Sequence, residues 1–130
     1  MVFSSASIVR PVGPAVRAAV EEVAGWCSST EKALNQCARA REALIDKLQA
    51  LGVTDVQRIE VRGPIGNTRP HPNLHPGHQV LRVGSEIVDV TWMQIDTTAV
   101  TPWKIYASIE TLRDDWTEVR DWTTGAPIER

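Results

Sequence analysis

The segment from Gly77 to Asp96, GHQVLRVGSEIVDVTWMQID, constrains the fold more than any other part of the chain. Two runs rich in β-branched and apolar residues, His78 to Val83 and Ile87 to Trp92, flank Gly84-Ser85, a dipeptide suited to a two-residue hairpin turn. The pattern predicts an antiparallel hairpin in which Val83 faces Glu86, Arg82 faces Ile87, Leu81 faces Val88, Val80 faces Asp89 and His78 faces Thr91. Alternation then sets His78, Val80, Ile87, Asp89 and Thr91 on one face, with His78 and Asp89 as diagonal neighbours at about 7–8 Å between backbones. Their side chains can meet across that span. A three-residue turn would slip the register by one and send Asp89 to the other face. A carboxylate bonded to an imidazole fixes its tautomer and stabilises its charged form, the orienting step that Cys-His and Ser-His hydrolases need. An unpaired buried carboxylate is costly, so Asp89 in an apolar strand needs a partner.

The hairpin supplies no nucleophile, and the two cysteines are the thiols to consider. Cys27 and Cys37 are too few for a disulfide framework; reduced thiols are the expectation, with one bridge left open. Pro14 to Trp26 has Val16, Ala19, Val20, Val23 and Ala24 at helical spacing, entered through a proline and left through Gly25. A second helix carries Leu44, Ile45, Leu48 and Leu51 in a stripe that extends back to Cys37, and Gly52 stops it. Its start has two readings. Ser28-Ser29-Thr30-Glu31 is a capping box that would bury Cys37 inside one long helix. Alternatively that piece is a short turn, and Asn35 caps a new helix with Cys37 in its first turn, where exposed amides and the positive end of the dipole favour a thiolate. The second reading is the expectation. Arg39, Arg41 and Lys47 are read as the wet face of this helix.

Val53 to Arg62 is predicted as a strand. Gly63 to Gly77 holds four prolines, three glycines and two asparagines, and reads as a long loop that delivers the chain to His78. Met93 to Pro102 is polar and irregular, and Trp103 to Ala107 suits a short edge strand. Ser108 caps a predicted C-terminal helix in which Ile109, Leu112, Trp116, Val119 and Trp122 follow helical spacing.

A chain of 130 residues with 42% hydrophobic content suits one domain over residues 1–130, with 1–13 and 123–130 as loosely ordered ends. Fourteen basic against sixteen acidic residues give a net charge of −2, which argues against nucleic acid or an anionic membrane as partner. The opening MVFSSASIVRPVG lacks the charged-then-apolar pattern of a signal peptide, and no run approaches the roughly 18 apolar residues of a membrane span. The expectation is a soluble protein, cytoplasmic or delivered into a target cell.

A cysteine opening a helix that ends in LGV, a strand, a loop, then GH with an apolar strand, a short turn and IVDVTWMQID together resemble the papain-fold and transglutaminase-like cysteine hydrolases. The likeness is strongest to the small papain-like toxin domains of bacterial polymorphic toxins, whose segment after the second strand reads Asp, Thr, Gln much as Asp89, Thr91 and Gln94 stand here. It runs from about Asn35 to Trp116. The resemblance implies a single α+β papain-like (transglutaminase-like) domain, its cysteine-bearing central helix packed on a small antiparallel sheet. It also implies Cys37 as nucleophile, His78 as general base and acid, and Asp89 as orienting carboxylate. Asn35-Gln36 stands where many relatives have Gly-Asn, so Gln36, Asn35 and Gln94 are carried as oxyanion or substrate-contacting candidates, with Trp92 as a cleft wall beside Trp103. The implied chemistry is acyl transfer at a protein or peptide amide, as protease, deamidase or transglutaminase, with no cofactor or metal. As a toxin or effector domain it would have a cognate immunity or inhibitor protein.

Three competing readings stand beside this one. A lone cysteine on an apolar helix face is ordinarily a small core residue, and Cys27 is a rival nucleophile. A non-catalytic protein-interaction module could keep the same scaffold. His71, His75 and His78 suggest zinc, but their spacing in a proline-broken loop with no second clustered pair of ligands argues for solvated histidines.

Overall fold

The structure, a computed structural model, describes residues 13–63, 70 and 77–128. Helix α1 (Pro14–Gly25) starts on its proline and buries Ala19, Val20, Val23 and Ala24. The capping box starts only a single turn, α2 (Thr30–Ala33), in which Ser29 Oγ accepts from the Lys32 N–H. Leu34 leaves the helical region and Asn35 takes a left-handed φ of 57°, a conformation that asparagine tolerates. The chain thus turns before α3 (Cys37–Ala50), whose N-cap is Gln36, one position later than the expected Asn35. Cys37 opens this helix.

Five strands follow: β1 (Val56–Arg62), β2 (His78–Val83), β3 (Glu86–Asp89), β4 (Lys104–Tyr106) and β5 (Glu118–Asp121). They form one sheet of order β4-β3-β2-β1-β5, with every neighbouring pair antiparallel. Among the described residues the domain is therefore α+β, with a five-stranded antiparallel sheet and four helices. No helix among the described residues is long and apolar enough to cross a membrane.

The hairpin has the predicted register, Val83 opposite Glu86 and Leu81 opposite Val88, and Gly84 supplies the positive φ of 60° that the tight turn requires. The expected pairs Val80–Asp89 and His78–Thr91 are not part of the ladder. Asp89 instead pairs with Lys104 of β4, and the chain turns into a short 3-10 segment at Trp92–Gln94.

Alternation divides the core in two. Leu81, Val83, Val88 and Val90 pack under α1 and α3 with Val20, Val23, Leu44 and Leu48. Ile59, Val61, Val80 and Ile87 face the other way, onto Trp92, Ile95, Leu112 and Trp116. Burial of these side chains, worth about 1.5–3 kcal/mol each for the larger ones, fixes the sheet between two layers.

Three expectations are corrected. The predicted C-terminal helix is only α4 (Ile109–Leu112), capped by Ser108 Oγ accepting from Thr111 N–H. Trp116 leaves it for the sheet, Thr117 N–H donates to Arg62 O, and Val119 lies in β5 on the β1 edge. Long-range packing overrode a helical spacing that Asp114 and Asp115 support poorly. Residues 123–128, expected to fray, fold back on β5 through Asp121 N–H to Ala126 O and Ile128 N–H to Val119 O. Arg41 is buried rather than wet, bonded to Gln79 Oε1 and Glu42 and set 4.8 Å from the Trp122 ring. The long loop, apart from Gly63, Pro70 and Gly77, lies outside the described residues, as do 1–12 and 129–130.

Gly63 ends β1 at a φ of 112°, and a Cβ there would sit 1.8 Å from Thr117 Oγ1. Gly63→Ala combines a clash with backbone strain, and urea unfolding is expected to show a loss of about 1–3 kcal/mol. An unchanged midpoint would mean that the Thr117 crossing is not rigid.

Candidate functional site

The site is built on the first residue of β2. His78 is 1% exposed, and its Nε2 lies 2.6 Å from Asp89 Oδ2. Asp89, fully buried at the end of β3, accepts at its other oxygen from Thr91 N–H at 2.9 Å and from the Thr91 hydroxyl at 3.4 Å. The opposite-face outcome of a slipped turn is excluded by this contact.

With Nε2 held by Asp89, Nδ1 is the ring nitrogen left, and Gln94 Nε2 lies 3.4 Å from it. The Cys37 thiol is near enough for the His78 ring and the Gln79 backbone N–H to act on its titration. Thiol, imidazole and carboxylate are therefore electrostatically coupled. Helix α3 packs on one face of β2 while His78 belongs to the other, and the two meet where the helix and the strand both begin.

Electrostatics follow from this placement. Burial holds the Cys37 thiol up, but the hydrogen bond and charge of His78 and the Gln79 N–H outweigh it, so the thiol titrates below its ordinary value. Burial likewise disfavours a charged His78, yet the Asp89 carboxylate beside it and the Cys37 sulfur raise the ring to about 10. Cys27, in contrast, is pushed up by burial and then by the Asp89 charge. It is the less acidic of the two thiols.

Side chains that sequence reasoning missed complete the site. Trp116 stacks on His78 with ring centroids 5.3 Å apart and planes 13° from parallel, which holds the imidazole on one side. Its helical spacing hid this role. Thr91 relays a further contact: Gln94 Nε2 donates to Thr91 Oγ1 at 2.9 Å, and Gln94 Oε1 accepts from the Asn35 N–H at 2.7 Å. Gln79 was read only as part of a strand. A glutamine at the second position of a strand carries no sequence signal of such a role.

The structure places the secondary candidates as follows. Gln94 is fully buried with both ends of its amide engaged, so it supports the site from inside rather than facing a substrate. Trp92 is 7% exposed and lies edge-on to Tyr106 with the Lys104 ammonium 4.5 Å from its ring, so it is a core residue and not a cleft wall. Trp103 is half-buried, with the Arg17 guanidinium 5.4 Å from its ring. Asn35 is exposed, and Gln36 is half-buried at a cleft beside the start of α3. The Cys37 amide is at a helix start, where N–H groups lack intrahelical acceptors. Among the described residues no group of three or more His, Cys, Asp or Glu could hold a metal ion; His71 and His75 lie outside them.

Asp89→Asn removes the main influence that raises His78 and leaves burial, which lowers it, opposed only by Cys37. NMR titration of the ring is expected to move down from about 10. Because the folded value is raised, His78 contributes stability that is full below 6.5 and fades as pH climbs through about 10. The Asn variant should lose that alkaline fade; retention of it would assign the titration to another group. No family model, curated protein or solved structure matches this chain.

Proposed function

We propose that this protein is a papain-like, transglutaminase-like cysteine hydrolase or acyl transferase with Cys37, His78 and Asp89 as its catalytic triad. The single observation that carries this reading is the buried 2.6 Å His78–Asp89 contact, with the Cys37 thiol close enough to the ring for each to shift the other's titration. The Cys37 thiolate attacks an amide carbonyl, forming a carbon–sulfur bond and a tetrahedral oxyanion. The Cys37 N–H and Gln36 are the candidate donors to that oxygen. Collapse expels the amine, or ammonia from a side-chain amide, with the proton held at His78. Water or a second amine then gives a proton to His78 and takes the acyl group from sulfur. Proteolysis, deamidation and transamidation share these steps, and a protein or peptide amide is the substrate class.

The buried pair also favours catalysis over a purely structural scaffold. Replacing buried ionic groups by apolar ones is often neutral or stabilising, so the fold by itself gains little from keeping Asp89 charged inside. The resemblance to polymorphic toxin domains adds a toxin or effector role with a cognate inhibitor.

Iodoacetamide labelling across pH, read by mass spectrometry, tests the chemistry. Cys37 is expected to react below the ordinary thiol value of about 8.5, and Cys27 above it. His78→Ala should return Cys37 to slow, ordinary reactivity. Equal profiles for the two thiols in the unaltered protein would sink the triad. Expression of Cys37→Ala, His78→Ala and Cys27→Ala beside the parent tests the toxin role. Growth inhibition should vanish in the first two only, and equal inhibition by all four would exclude it.

A further inference from the structure

Beside the triad, the start of α3, the end of α1 and the single turn α2 enclose a cleft of about 310 Å³ lined by Trp26, Cys27, Lys32, Gln36, Arg39 and Ala40. Its position follows from the backbone: the left-handed turn at Asn35 brings α2 back beside the first turn of α3. Gln36 joins it directly to Cys37. Two features of the lining decide what it can receive. Trp26, Cys27 and Ala40 give it an apolar floor, and Trp26 remains 55% exposed although the Lys47 ammonium lies 5.5 Å from its ring. Its ionic groups are Lys32 and Arg39, with no carboxylate in the lining. Neither forms an ion pair among the described residues, whereas Arg17, Arg41, Lys47, Arg58, Arg62, Lys104 and Arg120 all do. The chain carries a net charge of −2, yet the ionic groups of this lining are cationic alone.

We propose that this cleft is the substrate subsite next to Cys37, and that it takes an acidic peptide segment, an apolar side chain on the Trp26 floor and a carboxylate between Lys32 and Arg39. The assignment rests on the proposed acyl-transfer chemistry and names its substrate class. Gln36 directly precedes Cys37, and Ala40 lies one helical turn beyond it on the same face of α3, so two of the lining residues are the immediate neighbours of Cys37 on the helix surface. A peptide seated in the cleft therefore runs past the start of α3, where Cys37 stands.

Two N-iodoacetyl dipeptide amides, leucyl-glutamate and leucyl-glutamine, distinguish this subsite without a known substrate. Alkylation forms a bond from the Cys37 sulfur to the acetyl carbon and releases iodide, so the labelling rate of Cys37 reports how well each probe is held beside it. The acidic probe is expected to label Cys37 about 3–10-fold faster than the neutral one in low salt, the range two exposed cations supply. The ratio should fall to about one in 1 M salt and in a Lys32→Gln, Arg39→Gln double variant, whose side chains are exposed and whose folding is checked by circular dichroism. A ratio near one in the unaltered protein, or one that survives the double substitution, overturns the subsite while leaving a reactive Cys37 in place. A Cys37 that reacts with neither probe, nor with iodoacetamide, below the ordinary thiol range overturns the chemistry and the subsite together.

Discussion

A carboxylate without solvent must be matched or neutralised, and Asp89 is matched. Taking one charged group out of water costs several kcal/mol even after relaxation. Here the cost is offset by a charged ring on one oxygen and by the amide and hydroxyl of Thr91 on the other. This requirement shapes the chain around it. The β3 strand stops at Asp89, and the backbone turns at once, so that Thr91 N–H points back at the carboxylate two residues earlier. A strand continuing straight through Thr91 would carry that amide into a ladder instead.

The same pair explains the path of the C-terminal segment. His78 presents a flat ring in the layer beneath the sheet, and a large apolar plane must cover it if water is to be kept out. Trp116 supplies that plane, and to reach it the chain abandons a helix after Leu112. Below it, Tyr106 donates to Asp115, which also accepts from Lys104. Burial first, then the Asp89 and Asp115 charges, push the Tyr106 hydroxyl far up, so it stays protonated and adds no second negative charge near the pair. The cover over His78 is thus a layer of its own.

Local patterns foretold the parts whose determinants lie close together in sequence. Gly84-Ser85 between two β-branched runs fixes the hairpin, and alternation alone set His78 and Asp89 on one face. The break before Cys37 was legible as one of two readings, because Ser29 and Asn35 each carry a helix-start signal. Parts that depend on contacts distant along the chain were not legible. Trp116 and Val119 have helical spacing from Leu112, yet one stacks on a ring 38 positions earlier and the other pairs with β1. Arg41 looks like a solvated helix residue until Gln79 and Glu42 are seen beside it and Trp122 over it. Gln94 lies in a turn after the hairpin, and only the arrival of Asn35 against it shows that its amide braces the loop before Cys37.

That brace also settles which way the Gln94 amide faces. The Asn35 backbone N–H can only donate, so the group facing it must be the Gln94 oxygen. The NH₂ end then points at Thr91 Oγ1 and lies 3.4 Å from His78 Nδ1. While the thiol keeps its proton, Nδ1 is a free acceptor that either the thiol or the Gln94 amide can address. Once the proton passes to Nδ1, that nitrogen becomes a donor to the sulfur, and the Gln94 amide keeps Thr91 as its acceptor. Each proton position therefore leaves Nδ1, the Gln94 amide and Thr91 with a partner. The ring can change its protonation in a buried setting without stranding these neighbours, which is what keeps such a change affordable inside a fold.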